Sequence, residues 1–210
     1  MASTIYVDKV DPASGTALEL GSSGDTLTVP SGATLAIASG GTLANSGTAT
    51  GVGGTNTPAF AAYLATDSDQ SISDSTTTKI QFEAERFDTA GAYDTSNYRF
   101  TCPSGQAGKY YIVVKAKCGS SQQNDIVGVF IHIYKNGSSY HSVGYTGAGF
   151  ISGTKYPILG MGVLCSSVLE LAEGDYIEGY GYIKTNGAGT PKFQEGDDAS
   201  TYMEGFKLIG

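Results

Sequence analysis

Ser23-Gly24-Asp25-Thr26-Leu27 is followed eight residues later by Ser31-Gly32-Ala33-Thr34-Leu35, and after eight more by Ser39-Gly40-Gly41-Thr42-Leu43. Each of these octads joins a strand-like Thr/Leu stretch to a Ser-Gly turn, and one octad is too small to bury a core alone. Because alternate residues of a strand share a face, the apolar side chains form a thin stripe. We predict that several copies of the chain wind together around this stripe into a fibre, which forms a stalk. Its predicted core consists of Leu27, Val29, Leu35, Ile37 and Leu43.

The composition of the 210-residue chain indicates an all-β protein. It contains 30 Gly and 14 Tyr, no Trp, and only 15% charged residues, below the roughly 25% that is usual for soluble domains. The formal net charge of -8 argues against nucleic acid and anionic membranes as partners, because both attract basic patches. No stretch approaches the roughly 20 apolar residues of a membrane span, so we expect no membrane insertion.

The three cysteines, Cys102, Cys118 and Cys165, are too few and too widely spaced for a disulfide framework, and no pair has the spacing of a metal site. The N-terminus lacks the basic start and apolar run of a secretory signal. We therefore expect a protein that is made and folded in a cytoplasm and reaches the outside of a cell by lysis or a dedicated apparatus.

The chain is predicted to have three parts. Residues 1–21 form an attachment segment, and residues 22–57 contain the octads and a glycine-rich hinge at 51–54. Residues 58–210 form a head of longer strands. The predicted strands of the head are 59–65, 78–87, 97–102, 109–118, 126–135, 138–146, 158–171, 175–185 and 200–209.

Two of these strands are apolar on both faces. In the strand at 126–135, Val129, Ile131 and Ile133 alternate with a second set of large side chains, and tyrosines repeat the pattern near residue 181. A strand of a free sandwich has a polar outer face, so we predict that another subunit covers the second face. The predicted trimer interface of the head consists of Phe130, His132, Tyr134, Tyr180 and Tyr182.

Seven short motifs follow one another between residue 58 and the C-terminus. They are Pro58-Ala59-Phe60-Ala61-Ala62, Ile80-Gln81-Phe82, Tyr93-Asp94 with Tyr98-Arg99-Phe100-Thr101-Cys102, Gly108-Lys109-Tyr110-Tyr111-Ile112, Lys135-Asn136-Gly137, Leu169-Glu170-Leu171-Ala172-Glu173-Gly174-Asp175-Tyr176-Ile177 and Met203-Glu204-Gly205-Phe206-Lys207-Leu208. In this order they resemble the C1q-like globular domain of the C1q and tumour-necrosis-factor superfamily. The resemblance implies a jelly-roll sandwich that forms a homotrimer. The expected fold is therefore all-β, with a short β-repeat stalk followed by this jelly roll.

The combination of a trimerising stalk, a trimeric jelly roll and no secretion signal resembles bacteriophage and cyanophage tail-fibre or spike proteins. The stretch from Ser3 to Asp11 is similar to the starts of such virion proteins. This resemblance implies a location in the virion after synthesis in the host bacterial cytoplasm. It also implies that the N-terminal segment docks on another virion protein.

No catalytic residue is predicted. The two histidines, His132 and His141, lack the elbow nucleophile of a Ser-His-Asp arrangement, and carboxylate pairs such as Glu83 and Glu85 fit a polar strand face. No cofactor is predicted either, although C1q-like heads often hold calcium near the trimer apex. Oxygen ligands could come from 195–198 or from 67–69. A solvated acidic loop is the simpler interpretation of both, so no metal ligand is assigned.

Strand alternation predicts which end of the head faces a target. The tight turns at 103–108, 135–137 and 173–175 should share the base, and the loops at 119–125, 147–157 and 184–199 the distal end. Long loops on a rigid scaffold often carry recognition, although these loops could also simply close the sandwich. The predicted ligand-binding residues are Gln122, Gln123, Asn124, Tyr156, Phe193, Asp197 and Asp198. They suit a glycan, through hydrogen bonds and ring stacking.

These features favour a non-enzymatic phage fibre or spike whose head binds a host-surface glycan or protein. The alternative is a capsid-decorating protein that stabilises the particle, which needs the same docking segment and trimer. Binding of the purified head to cells favours the first function, whereas particles that lose stability without the protein favour the second. A polysaccharide depolymerase ranks last, because it requires two catalytic carboxyl groups at a set separation.

Overall fold

The computed structural model of the chain describes residues 10, 12, 14, 18, 20, 22–44, 46, 56–65, 69–146, 160–195 and 200–208. The chain divides into two compact units, Met1–Thr50 and Gly51–Gly210. The glycine-rich hinge predicted at 51–54 lies outside the described residues, as does most of the predicted attachment segment 1–21.

The octads form a regular series of turns joined by extended segments. The amide of Asp25 bonds to the Ser22 carbonyl at 3.0 Å, and the same bond recurs eight residues later from Ala33 to Pro30 at 3.0 Å. A third turn follows at 38–41. The third residue of each turn is a glycine with φ of 94°, 85° or 83°, a backbone conformation that disfavours any other residue. The octad pattern therefore specifies a repeating turn.

Thirteen strands occur among the described residues of the second unit. They are β1 Ala59–Tyr63, β2 Gln70–Ser71, β3 Thr78–Lys79, β4 Ala84–Asp88, β5 Tyr93–Asp94, β6 Arg99–Thr101, β7 Gly108–Ser120, β8 Ile126–Lys135, β9 Ser138–Thr146, β10 Gly160–Leu171, β11 Tyr176–Thr185, β12 Pro191–Gln194 and β13 Tyr202–Lys207. No helix occurs among the described residues, and none of them provides an apolar helix long enough to cross a membrane. The prediction of an all-β chain is confirmed.

The strands form two antiparallel sheets. In the first sheet β7 is central and pairs along one edge with β10. Along its other edge β7 pairs with β13 and then with β12. Beyond β13 lie β1 and then β4, and beyond β12 lies β2. The second sheet has the order β5-β6-β11-β8-β9, and β3 also pairs with β11. Since strands far apart in the chain are neighbours, the two sheets form a jelly-roll-like sandwich, as predicted.

The core lies between the sheets and is rich in aromatic rings. Phe60 of β1 stacks on Phe100 of β6 with ring centroids 4.5 Å apart, so the two rings join the sheets directly. Both rings are almost completely buried. Val129, Ile131 and Ile133 of β8 also point into this core and are fully buried. The inner face of β8 is therefore the one that the alternation of the sequence predicted.

The predicted strand at 78–87 is wrong, because the chain changes sheets there. Thr78–Lys79 pairs with β11 in the second sheet, whereas Ala84–Asp88 pairs with β1 in the first. The connecting residues Ile80 and Phe82 are fully buried. Alternation of buried and exposed residues thus continues through the crossing, so the local pattern could not reveal the break.

Three tight turns meet at one end of the sandwich, as strand alternation predicted. Asn136 of the β8–β9 turn donates through its side-chain amide to Asp175 at 2.8 Å, and Gly105 donates its amide to Glu173 at 3.2 Å. The last strand also ends here, since the Lys207 amide bonds to the Pro58 carbonyl at 3.0 Å. This end, which we call the base, therefore contains the point where the chain enters the sandwich.

Candidate functional site

The loop at 121–125, which connects β7 and β8, is clamped to the loop at 186–190. Asp125 is completely buried, and its carboxylate accepts a hydrogen bond from the Ser120 hydroxyl. The same carboxylate accepts the backbone amides of Ala188 and Gly189, each at 3.0 Å. Because its three donors come from the end of β7 and from the loop at 186–190, this side chain holds the two loops in one arrangement.

The predicted ligand residues of this loop are presented to solvent. Gln122, Gln123 and Asn124 are all exposed, and Asn124 has a φ of 57°, which asparagine tolerates better than most residues. A further hydrogen bond joins the two loops, because the Asn186 side chain of the loop at 186–190 donates to the Asn124 carbonyl at 3.2 Å. The hydrogen bonds of the clamp thus position the backbone that carries the side chains of Gln122, Gln123 and Asn124. Tyr156, Asp197 and Asp198 lie outside the described residues, as do 67 and 68.

The prediction that Phe193 is an exposed ligand-binding ring is wrong. Phe193 lies in β12, pairs with Cys118 of β7 and is fully buried. Its ring packs directly on the backbone of Gly181, where a Cβ atom would overlap it. Phe193 was expected in the loop at 184–199, but residues 191–194 pair with the edge of β7 and form the strand β12. The ring is therefore part of the core.

The outer face of the second sheet carries a contiguous group of aromatic side chains, which we call the aromatic face: Phe130, His132, Tyr134, Tyr180 and Tyr182. They come from the adjacent strands β8 and β11. Tyr134 and Tyr180 stack at 4.0 Å between centroids, and Phe130 meets Tyr182 edge to face at 6.0 Å. All five are partly exposed in the single chain. These are the residues predicted as the trimer interface of the head, and that role stays a prediction.

His132 lies at the centre of the aromatic face. Its ring is 6.3 Å from Phe130 and 6.0 Å from Tyr134, measured between centroids. The Nδ1 atom is buried and has no hydrogen-bond partner among the described residues. Burial lowers the pKa of His132, because a charged imidazole is poorly solvated there. The side chain is accordingly neutral near pH 7, and its ring contacts do not resemble those of a catalytic base.

Charged groups border the aromatic face next to β11. Lys79 forms an ion pair with Glu178, whose side chain is 8% exposed. Arg99 lies over the ring of Tyr176, with its guanidinium carbon 4.9 Å from the ring centroid. Its register partner on β5 is Asp94. Two cations and two carboxylates therefore border the aromatic face on this side, and their formal charges balance.

A second apolar surface covers the outer face of the first sheet, which we call the apolar face. It includes Phe87, Leu164, Val168 and Phe206, which are 50%, 47%, 50% and 37% exposed. A groove of about 320 Å³ lies on it, lined by Asn56, Ala59, Phe60, Phe87, Tyr111, Val113, Glu204, Gly205 and Phe206. Sequence reasoning missed this face. Its signal was the alternation in β10, where Leu164 and Val168 alternate with buried Val163, Cys165 and Leu169.

The described residues contain no cluster of histidine, cysteine and carboxylate side chains that could hold a metal ion. The three cysteines are buried, and burial raises the pKa of Cys118 to about 12. A thiol with so high a pKa is a poor nucleophile at neutral pH. Glu83 and Glu85, the carboxylate pair of the sequence analysis, are exposed on and beside β4.

No protein-family model matches the chain, and the comparison with curated proteins gave no match. Among solved structures, the globular domain of zebrafish complement 1qA protein is similar to 72% of this chain and to 97% of its own length. The sequence identity is 17% and the TM-score is 0.48. At this identity the similarity extends to the fold alone.

Proposed function

We propose that the protein is a non-enzymatic, trimeric fibre or spike of a virion, with the octads as its stalk and the sandwich as its binding head. The observation that carries this proposal is the exposure of the octad stripe. Leu27, Leu35 and Leu43 are 68%, 63% and 62% exposed, and they recur at the same position of a regular turn repeat. Burying a leucine stabilises by about 1.5–3 kcal/mol, so association of the octads has a substantial driving force.

The apolar face of the head supports the same assembly. Asn56 and Ala59, which line its groove, lie only a few residues after the octads in the chain. Large apolar side chains that are about half exposed mark protein interaction sites when they form one patch. We propose this face as the contact between heads, in place of the aromatic face that the strand pattern favoured.

Binding of a host-surface glycan or protein is assigned to the end of the head opposite the base. Support comes from Gln122, Gln123 and Asn124, which are exposed on a loop held by the buried Asp125 clamp. Three such loops in a trimer, and many trimers on a particle, would give strong attachment from weak individual sites. The virion location rests on the similarity of Ser3–Asp11 to the starts of virion proteins.

The test is the mass of the purified full chain in solution, measured by light scattering. We expect a species of about three times the 21.7 kDa chain. Leu35→Asp should shift it toward the monomer, because a carboxylate cannot be buried in an apolar stripe. Ala36→Asp, on the alternate face of the same octad, is the matched control and should remain trimeric. A monomeric wild-type protein, or equal masses for the two variants, would contradict the proposal.

A further inference from the structure

We propose that the aromatic face of the second sheet binds neutral carbohydrate, with sugar rings stacking on its aromatic side chains. This inference rests on the proposed function, whose host-surface binding it deepens, and it places a second site away from the loop at 121–125. Carbohydrate-sized ligands are held by apolar and aromatic surfaces with a few convergent polar groups. The aromatic face has both kinds of group.

The rings form one continuous surface instead of scattered apolar side chains. The rings follow one another in the order Tyr182, Phe130, His132, Tyr134 and Tyr180, with successive centroid distances of 6.0, 6.3, 6.0 and 4.0 Å. Three of the five rings are tyrosines, which combine an apolar body with a hydroxyl group at the tip. Such side chains can contact the C–H face of a sugar and hydrogen-bond its hydroxyl groups, with only two torsion angles to immobilise.

Small residues on β9 leave the aromatic face open on one side. Opposite Phe130, His132 and Tyr134 stand Gly144, Ser142 and Ser139 in turn. The Phe130 ring lies so close to the β9 backbone that a Cβ atom at Gly144 would overlap it. This row of small residues, which we call the shelf, therefore leaves space beside the rings. A linear glycan could lie along the shelf with the serine hydroxyl groups within reach.

Charge favours a neutral ligand over an acidic one. The ion pair of Lys79 with Glu178 is internal to the protein, and Arg99 has Asp94 as its register partner. With His132 uncharged near pH 7, the aromatic face attracts neither strong anions nor strong cations. Lys184, which follows Tyr182 on the same face of β11 and is exposed, lies near the carboxylate of Asp74. The described border of this face therefore carries no excess positive charge that would favour an acidic polysaccharide.

A second copy of the chain is a weaker candidate for the occupant. The apolar face presents Phe87, Leu164 and Val168 at about half exposure, which suits burial against another protein. The aromatic rings instead already pack on one another and keep hydroxyl groups and an imidazole among them. If heads associate through the apolar face, the opposite sheet remains outside and accessible.

The test uses the full chain in native gels that contain dextran, mannan or galactan, with polygalacturonate and hyaluronate as acidic comparisons. Retarded migration in at least one neutral polysaccharide is the expected result. Tyr182→Ala should weaken that retardation about tenfold, because it removes one of the rings on which a sugar would stack. Tyr182→Phe keeps the ring and should stay within about threefold of wild type. The matched control is Tyr145→Ala, whose register partner is the core residue Val129, on the other side of the sheet.

Light scattering on each variant separates this proposal from the proposed function. A trimer that no neutral polysaccharide retards, or one that Tyr182→Ala leaves fully retarded, overturns the carbohydrate site but not the trimer. A monomer that is retarded keeps the site and overturns the trimeric fibre. If Tyr182→Ala dissociates the trimer, the aromatic face is a contact between copies and the proposal fails. Should Tyr182→Ala not fold, Tyr182→Leu retains apolar volume without a ring and should bind as weakly.

Discussion

The octads and the sandwich differ in how far their apolar side chains are buried within the single chain. Every described residue from 22 to 44 is exposed, and the turns recur with the sequence period. In the sandwich, by contrast, Phe60, Phe82 and Phe100 are almost completely buried. A single chain therefore supplies the sandwich with its own core, whereas the described residues of the octads are all exposed in the single chain. Stability of the head and assembly of the stalk should respond to different substitutions.

The largest expected effect concerns the core of the sandwich. Phe100→Ala should lower the free energy of unfolding of the head by about 3–5 kcal/mol, because it removes a fully buried ring. That ring stacks on Phe60 and contacts Tyr110. Urea denaturation measures the change, and light scattering should still find a trimer held by the octads. Tyr140→Ala, at a 50% exposed ring, is the control and should cost less than about 1 kcal/mol.

The octads and the head would not be independent if Phe100→Ala also abolished assembly under conditions where the head remains folded. The octads would then depend on the core of the head, and the two regions would form one cooperative unit. An effect of Tyr140→Ala as large as that of Phe100→Ala would show instead that exposed rings contribute to stability through contacts between copies.

The second effect concerns the clamp between the loops at 121–125 and 186–190. Asp125→Ala should destabilise the head by about 2–3 kcal/mol, since it removes the acceptor of the Gly189 amide and one of the two acceptors of the Ala188 amide, which also bonds to the Asn186 side chain. Hydrogen exchange should show faster exchange at these two amides than in wild type. Gln123→Ala, on the exposed side of the same loop, should change neither quantity. Unchanged exchange in Asp125→Ala would mean that other contacts hold the loops.

A smaller effect is expected in the octads. Gly32→Ala places a Cβ at a φ of 85°, where no neighbouring atom lies within 4 Å, so the cost is conformational and about 1 kcal/mol per chain. The trimer should dissociate at a higher protein concentration than wild type, while the urea midpoint of the head stays unchanged. Ser31→Ala, one residue earlier in the turn, is the control. A shift in the unfolding of the head would show that the regions are coupled.

The smallest effect concerns the base. Lys135 pairs with Asp175 at 2.8 Å, and Asn136 and the Ala172 amide also bond to this carboxylate. These contacts lower the pKa of Asp175 to about 2. Because the pKa is lower in the folded state, the stabilisation is present above about pH 4 and lost as the pH falls towards 2. Asp175→Asn should lower the thermal midpoint at pH 7 by an amount that corresponds to about 0.5 kcal/mol.

At pH 2 the midpoints of wild type and Asp175→Asn should lie closer together than at pH 7, because at a pKa of about 2 roughly half of the wild-type carboxylate is then protonated. A difference that stays constant between pH 7 and pH 2 would mean that the charge of Asp175 contributes nothing and that its geometry alone matters. The stalk should be insensitive to this substitution at every pH, which again separates the two regions.

The sequence predicted local features well where one signal dominated. The strands at 126–135 and 138–146 and the Asn136-Gly137 turn between them match the structure, because alternation and turn residues act over a few positions. The burial of Val129, Ile131 and Ile133 was predicted for the same reason. The base also followed from sequence, because antiparallel strands that alternate up and down bring every second turn to one end.

The sequence could not show where segments remote in the chain meet. Phe193 was expected in an exposed loop, but it is buried because β12 completes the edge of β7 and Gly181 leaves room for the ring. The clamp at Asp125 was likewise hidden, since its donors come from residues more than sixty positions later. The apolar face requires Phe87 and Val168 on the same side of one sheet, which depends on the order of its strands.

By itself, then, the sequence determined the period of the octads, the all-β character and the alternation within each long strand. These properties are local, because a residue's neighbours along a strand set its face and a glycine sets its turn. The tertiary structure alone decided which strands are adjacent, which rings close the core and which half-exposed rings form the aromatic face. Strand pairing between distant segments is a property of the whole sandwich, and no short stretch of the chain contains it.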